Sequence, residues 1–283
     1  MKNTKIGFVL CLLAVFHLAV ASTLAAPTDP VPPQAYLQFD GSTTNYVEVP
    51  DSNDFSVDTT GGLTISAWMR PDALTFANTE GSRPDEQFVH WLGKGSSGQQ
   101  EWVFRMYSIT DPAGARENRI SFYVFEGNTP PPIRGCGSYF QDPVQTGQWI
   151  HVVGVADNSA MTTTIYKDGV PRNTNSYAGI VTPGHGTTPL RMGTRDFASF
   201  FQGALAEVRV WNRVLNDQEI ADLYFLGTVP QDALVGEYLL NEGAGSTAFD
   251  TSGRAHDGTV FGAAWGSGSS PLQSGTGRSG GGC

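Results

Sequence analysis

The residues able to do chemistry here are the carboxylates, five histidines and three cysteines. Cleaving a glycosidic bond with retention needs two carboxyls about 5 Å apart, one as nucleophile and one as acid/base. Asp217 and Glu219 are two residues apart, but they open a helix, where capping and the helix dipole account for them. Asp85 and Glu86 are adjacent in a loop, and Glu207 is followed by Val208 and Arg209, with no second acid two residues on. There is no GxSxG nucleophile motif, no CxxC or His/Cys cluster with zinc spacing, and no glycine-rich phosphate loop ahead of a helix. His151 sits in QWIHVVGV, a packed strand position, and His185 lies between two glycines in a loop. His90 and His256 belong to no motif.

The elements that must position such residues are mostly strands. Gly203–Gly227 reads as one strand followed by one helix. Ala204, Ala206, Val208 and Val210 alternate with Leu205, Glu207, Arg209 and Trp211, which predicts two faces of a half-buried strand. Asn216 is a favoured N-cap with Glu219 three residues on, Leu215 and Ile220 have the spacing of a hydrophobic staple, and Gly227 is a natural stop. Further strands are predicted at 35–39, 46–49, 63–69, 88–92, 101–107, 119–125, 150–155, 162–167, 190–193, 234–240 and 259–265. Lys167-Asp168-Gly169 marks a hairpin. Four long insertions interrupt them, at about 74–87, 108–118, 127–148 and 176–188; loops of this length often carry function.

The 283 residues include 17 Lys and Arg against 27 Asp and Glu, for a formal charge of −10. Such a chain is not expected to bind nucleic acid by charge. Residues 1–21 have the basic start, apolar run and small-x-small end of a secretory signal, so the protein is expected outside the cell or in the periplasm, without a membrane span once the signal is removed. Losing Lys2 and Lys5 would make the charge more negative still. Residues 22–34 are a Pro-rich lead-in, and 266–283 a Gly/Ser tail expected to be disordered. The mature chain would keep only Cys136 and Cys283, which excludes a disulfide scaffold but leaves them bridged, free or intermolecular.

The pieces FDGSTTNYVEVP (39–50), LTISAWMRP (63–71), QWIHVVGVAD (148–157), IYKDGV (165–170), LRMGTRD (190–196) and GALAEVRVWNRVLNDQEIADLY (203–224) occur in this order. In that order they resemble the laminin G-like family of the concanavalin A-like lectin/glucanase superfamily. The resemblance implies an all-β, two-sheet antiparallel jelly-roll sandwich with one short helix near 216–226. The segment 234–265 resembles one that often precedes FDG in this family. Two explanations are open, a truncated second repeat or strands that complete the first domain as in a circular permutation. The second is preferred, because isolated strands cannot bury a face, and it gives one domain over 35–265.

The resemblance also implies sites. Glucanases of the superfamily carry their acids on one strand, as E-x-D-x-x-E, and this pattern is missing here. Jelly rolls of this kind often hold one structural calcium, for which Asp40, Glu207 and Asp250 are the candidates. Sugar binding would use aromatic and polar side chains on the concave sheet or its rim. If Trp102, Phe104 and Met106 face the core, then Arg105 and Tyr107 face outward, and Tyr123 joins them by the same rule. Arg134, Tyr139, Phe140, Phe200 and Phe201 are the rim candidates. The expected function is a secreted, non-catalytic module recognising an extracellular carbohydrate or glycoprotein. The alternatives are a diverged glycanase or polysaccharide lyase, and an adhesion or assembly module using Cys283 or the acidic surface.

Overall fold

A computed structural model describes residues 29–81, 86–111, 116–127 and 134–268. The expected signal segment and nearly all of the Gly/Ser tail lie outside the described residues. In chain order the strands begin with β1 (Ala35–Asp40), β2 (Tyr46–Val49), β3 (Gly62–Pro71), β4 (Phe88–Lys94), β5 (Trp102–Tyr107), β6 (Ile120–Phe125), β7 (Gly135–Phe140) and β8 (Ile150–Asp157). They continue with β9 (Thr162–Lys167), β10 (Val170–Ser176), β11 (Leu190–Met192), β12 (Gln202–Trp211), β13 (Leu234–Tyr238), β14 (Thr247–Ala248), β15 (Gly258–Phe261) and β16 (Ala264–Ser267). A four-residue helix α1 (Val57–Thr60) precedes β3, and α2 (Asp217–Phe225) follows β12. The strands form two antiparallel sheets of eight. The first has the order β10-β9-β8-β3-β12-β1-β16, with β13 also paired to β12, and the second runs β14-β15-β2-β11-β4-β5-β6-β7. This is the two-sheet jelly-roll sandwich that the sequence predicts.

Alternation along the strands puts one apolar set between the sheets. Leu37, Phe39, Leu63, Ile65 and Val152 of the first sheet meet Val47, Trp91, Phe104, Phe122 and Met192 of the second in a single buried cluster. The packing is close. A side chain at Gly154 on β8 would start 2.5 Å from the Phe122 ring and 2.7 Å from Phe104. Strands from the end of the chain enter both sheets. Tyr238 of β13 lies opposite Val208, Val260 of β15 opposite Val47, and Trp265 of β16 opposite Leu37.

Two sequence expectations need correction. The simple alternation over 204–211 does not hold, because β12 carries a bulge: Glu207 has φ 49°, and the ladder to β3 shifts between Ala206 and Arg209. One extra residue swaps the faces. Leu205 points into the core before the bulge, and Val208 and Val210 point into it afterwards, while Ala206 and Trp211 pack on the outside. The stretch 127–148 is also not a plain insertion, since β7 lies within it and pairs along the whole of β6.

The outer face of the first sheet is covered by α2. Asn216 Oδ1 accepts a hydrogen bond from the Glu219 amide at 3.0 Å, and Glu219 Oε2 accepts one from the Asn216 amide at 2.9 Å, closing a capping box. Ile220 and Leu223 then pack with Val153, Val155, Trp211 and Leu215, and Tyr224 packs on Trp68. The His151 ring is buried beside Trp68 and Tyr224, at 5.2 and 5.7 Å between centroids. Burial pushes its pKa down to about 3.

Two predictions follow from this cover. Asn216→Ala is expected to cost about 1 kcal/mol and to lower Tm by roughly 2–4 °C in calorimetry. An unchanged Tm would mean that packing alone holds the helix. His151 is neutral when folded but takes up a proton below its ordinary pKa when unfolded. Its contribution is therefore complete above pH 6.5 and is lost as pH falls toward about 3. His151→Leu should flatten the acid side of the stability profile by up to about 1.4 kcal/mol per pH unit, read from urea midpoints; parallel profiles for the two proteins would contradict the assignment.

Candidate functional site

Among the described residues no helix lies over the outer face of the second sheet. In β5, Trp102, Phe104 and Met106 enter the core, so Arg105 and Tyr107 point the other way. In β6, Ile120, Phe122 and Val124 enter the core, leaving Ser121, Tyr123 and Phe125 outside. Register aligns these outward sets: Arg105 lies opposite Ser121 on one side and His90 on the other. The Arg105 guanidinium carbon sits 4.5 Å from the Phe88 ring centre, 4.4 Å from Tyr123 and 5.4 Å from Phe125. Neighbouring β7 makes room for these rings with glycine. A Cβ at Gly137 would lie 2.2 Å from the Phe122 carbonyl oxygen and 2.6 Å from the Tyr123 ring, and one at Gly135 would lie 2.5 Å from the Phe125 ring.

These side chains line a cavity of about 320 Å³, together with Glu86, Arg116 and Arg119. Its charge is positive, with three guanidinium groups against the Glu86 carboxylate, which forms an ion pair with Arg116. Arg119 stacks 3.8 Å over the Tyr139 ring, and its Nη2 donates to Gln141 at 3.3 Å. Its buried Nε has no hydrogen-bond acceptor among the described residues. Burial raises the Tyr123 pKa, so at neutral pH the hydroxyl keeps its proton and can donate as well as accept. A larger cavity, about 440 Å³, lies on the other sheet beside the start of α2. There Tyr166 donates to Asp217 at 2.6 Å, so two of the strongest polar groups engage each other.

Arg105 is fixed from behind by a charged network. Its Nε donates to His90 Nε2 at 3.2 Å, while His90 Nδ1 lies 2.6 Å from Glu80 Oε1 and 3.8 Å from Asp196 Oδ1. Ser199 donates to Glu80 at 2.7 Å and its hydroxyl accepts from the His90 amide at 3.0 Å. Arg195 pairs with Asp196 at 2.5 Å. Burial, then the Arg195 charge, push the His90 pKa down. Burial opposes ionisation of Asp196, but His90 and Arg195 hold its carboxyl well below the usual carboxylate range.

Glu80, His90 and Asp196 bring ligand-type atoms within 4.8 Å of one another, the spacing of a metal site. The hydrogen bonding does not fit one. Because Nε2 accepts from Arg105, the proton of the neutral ring belongs on Nδ1, facing Glu80. A metal on Nδ1 would force that proton to Nε2 and against the Arg105 donor, while Arg195 already supplies positive charge to the two carboxylates. The cluster is a positioning network for Arg105.

The structure brings Arg105, Tyr107 and Tyr123 together, with Tyr139 joined to them through Arg119. Arg134 is exposed at the start of β7. Phe140, Phe200 and Phe201 are not on the rim: Phe140 and Phe201 belong to the core cluster, and Phe200 is 3% exposed. The reason is local. The Phe201 amide donates to the Gly193 carbonyl at 2.8 Å, which turns the loop inward.

The calcium candidates do not converge. Asp40 Oδ1 accepts from the Ser42 amide at 2.8 Å in a turn. Glu207 pairs with Arg209 at 2.9 Å. Asp250 accepts from the amides of Glu237, Ser252 and His256 at 2.9–3.0 Å.

Sequence reasoning missed Glu86, Arg116, Arg119, Phe125 and His90. Arg119 and Phe125 follow from the same alternation as Tyr123, carried to the strand ends. Also missed was an aromatic ledge farther along this face, where Tyr46 stacks on Phe261 at 4.6 Å and meets Phe197 at 5.0 Å. Phe197 and Phe261 are 44% and 40% exposed.

A laminin G model of the concanavalin A-like lectin/glucanases superfamily matches residues 40–221. The match covers more than half of the chain, and the chain belongs to this superfamily. Among solved structures, it is similar to one from Bacteroides ovatus titled a "putative carbohydrate binding protein", with TM-score 0.54, 18% identity, and coverage of 85% of this chain and 62% of that one. The present chain thus spans under two thirds of that structure's length. A native heptameric SAP-like pentraxin from Limulus polyphemus has TM-score 0.51, 12% identity, and coverage of 83% of this chain and 96% of that one. At these identities the likeness shows the fold. No curated relative matches the sequence.

Adding a methyl at Gly137 is expected to push the Tyr123 ring off Arg105. Gly137→Ala should destabilise the protein by about 1–3 kcal/mol, seen as a lower urea midpoint. An unchanged midpoint would mean that β7 is free to move away from β6.

Proposed function

We propose that this protein is a carbohydrate-binding module that takes a sugar on the outer face of its second sheet, in the cavity built by Arg105, Tyr107, Arg119 and Tyr123. The observation that carries this reading is their convergence on the outer face of the second sheet, over which no helix lies among the described residues. The half-buried Tyr123 ring borders the cavity beside Arg105, and the guanidinium and phenol groups that line it offer hydrogen bonds to the hydroxyls of a sugar. A protein of the same fold titled a putative carbohydrate binding protein is in keeping with this.

Binding rather than cleavage is favoured by the lining, since Glu86 is its one carboxylate among the described residues and retaining hydrolysis needs two. Among the described residues no helix is long and apolar enough to cross a membrane. With the secretory pattern of residues 1–21, this supports action on a glycan or glycoprotein outside the cell.

A glycan array followed by titration of the best ligand tests the reading. Tyr123→Ala is expected to weaken binding at least tenfold, or about 1.4 kcal/mol, and also to lower Tm, because the ring packs on Arg105 and Phe125. Unaltered binding in that variant would place the ligand elsewhere.

A further inference from the structure

We infer that the sugar carries an anionic group, a carboxylate or a sulfate, and that Arg105 and Arg119 receive it. This rests on the binding face proposed above and names the class of ligand that face selects.

The first argument is charge. The chain as a whole is acidic, with 27 Asp and Glu against 17 Lys and Arg. The cavity reverses that balance. Of its three guanidinium groups, Arg116 is matched by Glu86. Arg105 and Arg119 have no carboxylate within ion-pair distance among the described residues, although they line the same small cavity. Elsewhere most described arginines are paired: Arg70 with Asp72, Arg172 with Asp142, Arg191 with Glu48, Arg195 with Asp196, Arg209 with Glu237 and Arg213 with Glu219. Arg134 and Arg254, without an ion pair among the described residues, are exposed at the surface rather than set in a cavity. An acidic protein that leaves two arginines unmatched in one cavity has a place for an anion.

The second argument is geometry. The Nε of Arg105 is taken by His90, and its flat faces are covered by Phe88 and Tyr123. Its terminal nitrogens make no hydrogen bond within the described residues, and the fork is locked in orientation. Arg119 is likewise held flat on Tyr139, and its buried Nε lacks an acceptor. Unsatisfied buried donors are costly, and oxyanions are the acceptors that answer them best. A pre-oriented guanidinium matches the two oxygens of a carboxylate or sulfate, which a neutral hydroxyl cannot do. The burial of His90 and the positive charge of Arg195 keep its ring neutral and accepting. Glu80 and Asp196 lie on the far side of that ring, and neither carboxylate comes within ion-pair distance of Arg105.

The test uses the full chain and calorimetric titration with three probes of equal length: a galacturonate tetramer, a sulfated heparin-derived tetrasaccharide and neutral cellotetraose. At least one acidic probe is expected to bind about tenfold or more tightly than the neutral one, and to weaken severalfold between about 50 and about 300 mM NaCl. The two acidic arms distinguish carboxylate from sulfate. Arg105→Gln and Arg119→Gln should each cost the acidic probe about tenfold and bring it close to the neutral probe. Arg119→Gln keeps the test decisive if loss of Arg105 disturbs folding, and melting curves check both.

Neutral and acidic probes binding alike, with neither salt nor the arginine variants mattering, would overturn the anionic assignment while leaving a sugar-binding face. Binding of none of the three would overturn both.

Discussion

A strand in a two-sheet sandwich buries alternate side chains against the opposite sheet, and the remaining set must be dealt with on the outside. The two sheets here deal with it differently. On the first, Val153, Val155, Trp211 and Trp68 are apolar and lie under the capped helix α2. On the second, the outward set of β4, β5 and β6 includes Phe88, His90, Arg105, Tyr107, Tyr123 and Phe125, which would not pack under a helix without burying charge. Phe88, His90, Tyr107 and Phe125 bury one another there, and the cavity forms beside Arg105 and Tyr123, which stay half-buried.

Arg105 shows how an open face is made rigid. A guanidinium on a strand surface would ordinarily wander, because its long side chain has many rotamers. Here three rings confine its faces, and a neutral imidazole accepts from its Nε. The imidazole is itself held by Glu80, from the segment that bridges to Phe88 of β4, and by Ser199, from the segment before β12. The cluster that resembles a metal site is therefore better understood as a scaffold for one arginine.

Much of this is legible in the sequence, and the rest fails for identifiable reasons. The six motif pieces carry the fold, and Asn216 and Glu219 announce the helix cap that the structure contains. Alternation places Arg105, Tyr107 and Tyr123 on a shared face. It does not reach Arg116 or Glu86, which come from loops and meet only through strand register. The glycine-rich run of β7 lacks strand propensity, yet it pairs with β6 because its glycines leave space for Tyr123 and Phe125. The bulge at Glu207 leaves the written alternation intact while exchanging the two faces, so no periodicity argument could detect it. Phe200 and Phe201 looked like rim aromatics because the loop hydrogen bond that turns them inward is a tertiary feature.

The most direct measurement is an NMR titration of isotope-labelled protein with the saccharide that it binds, following arginine Nε–H and backbone amide signals. The account predicts that the largest shifts fall on the Nε–H groups of Arg105 and Arg119 and on the amides of Ser121 and Tyr123, with α2 unmoved. Shifts centred on Tyr166, Leu215 and Asp217, with Arg105 and Arg119 silent, would contradict it.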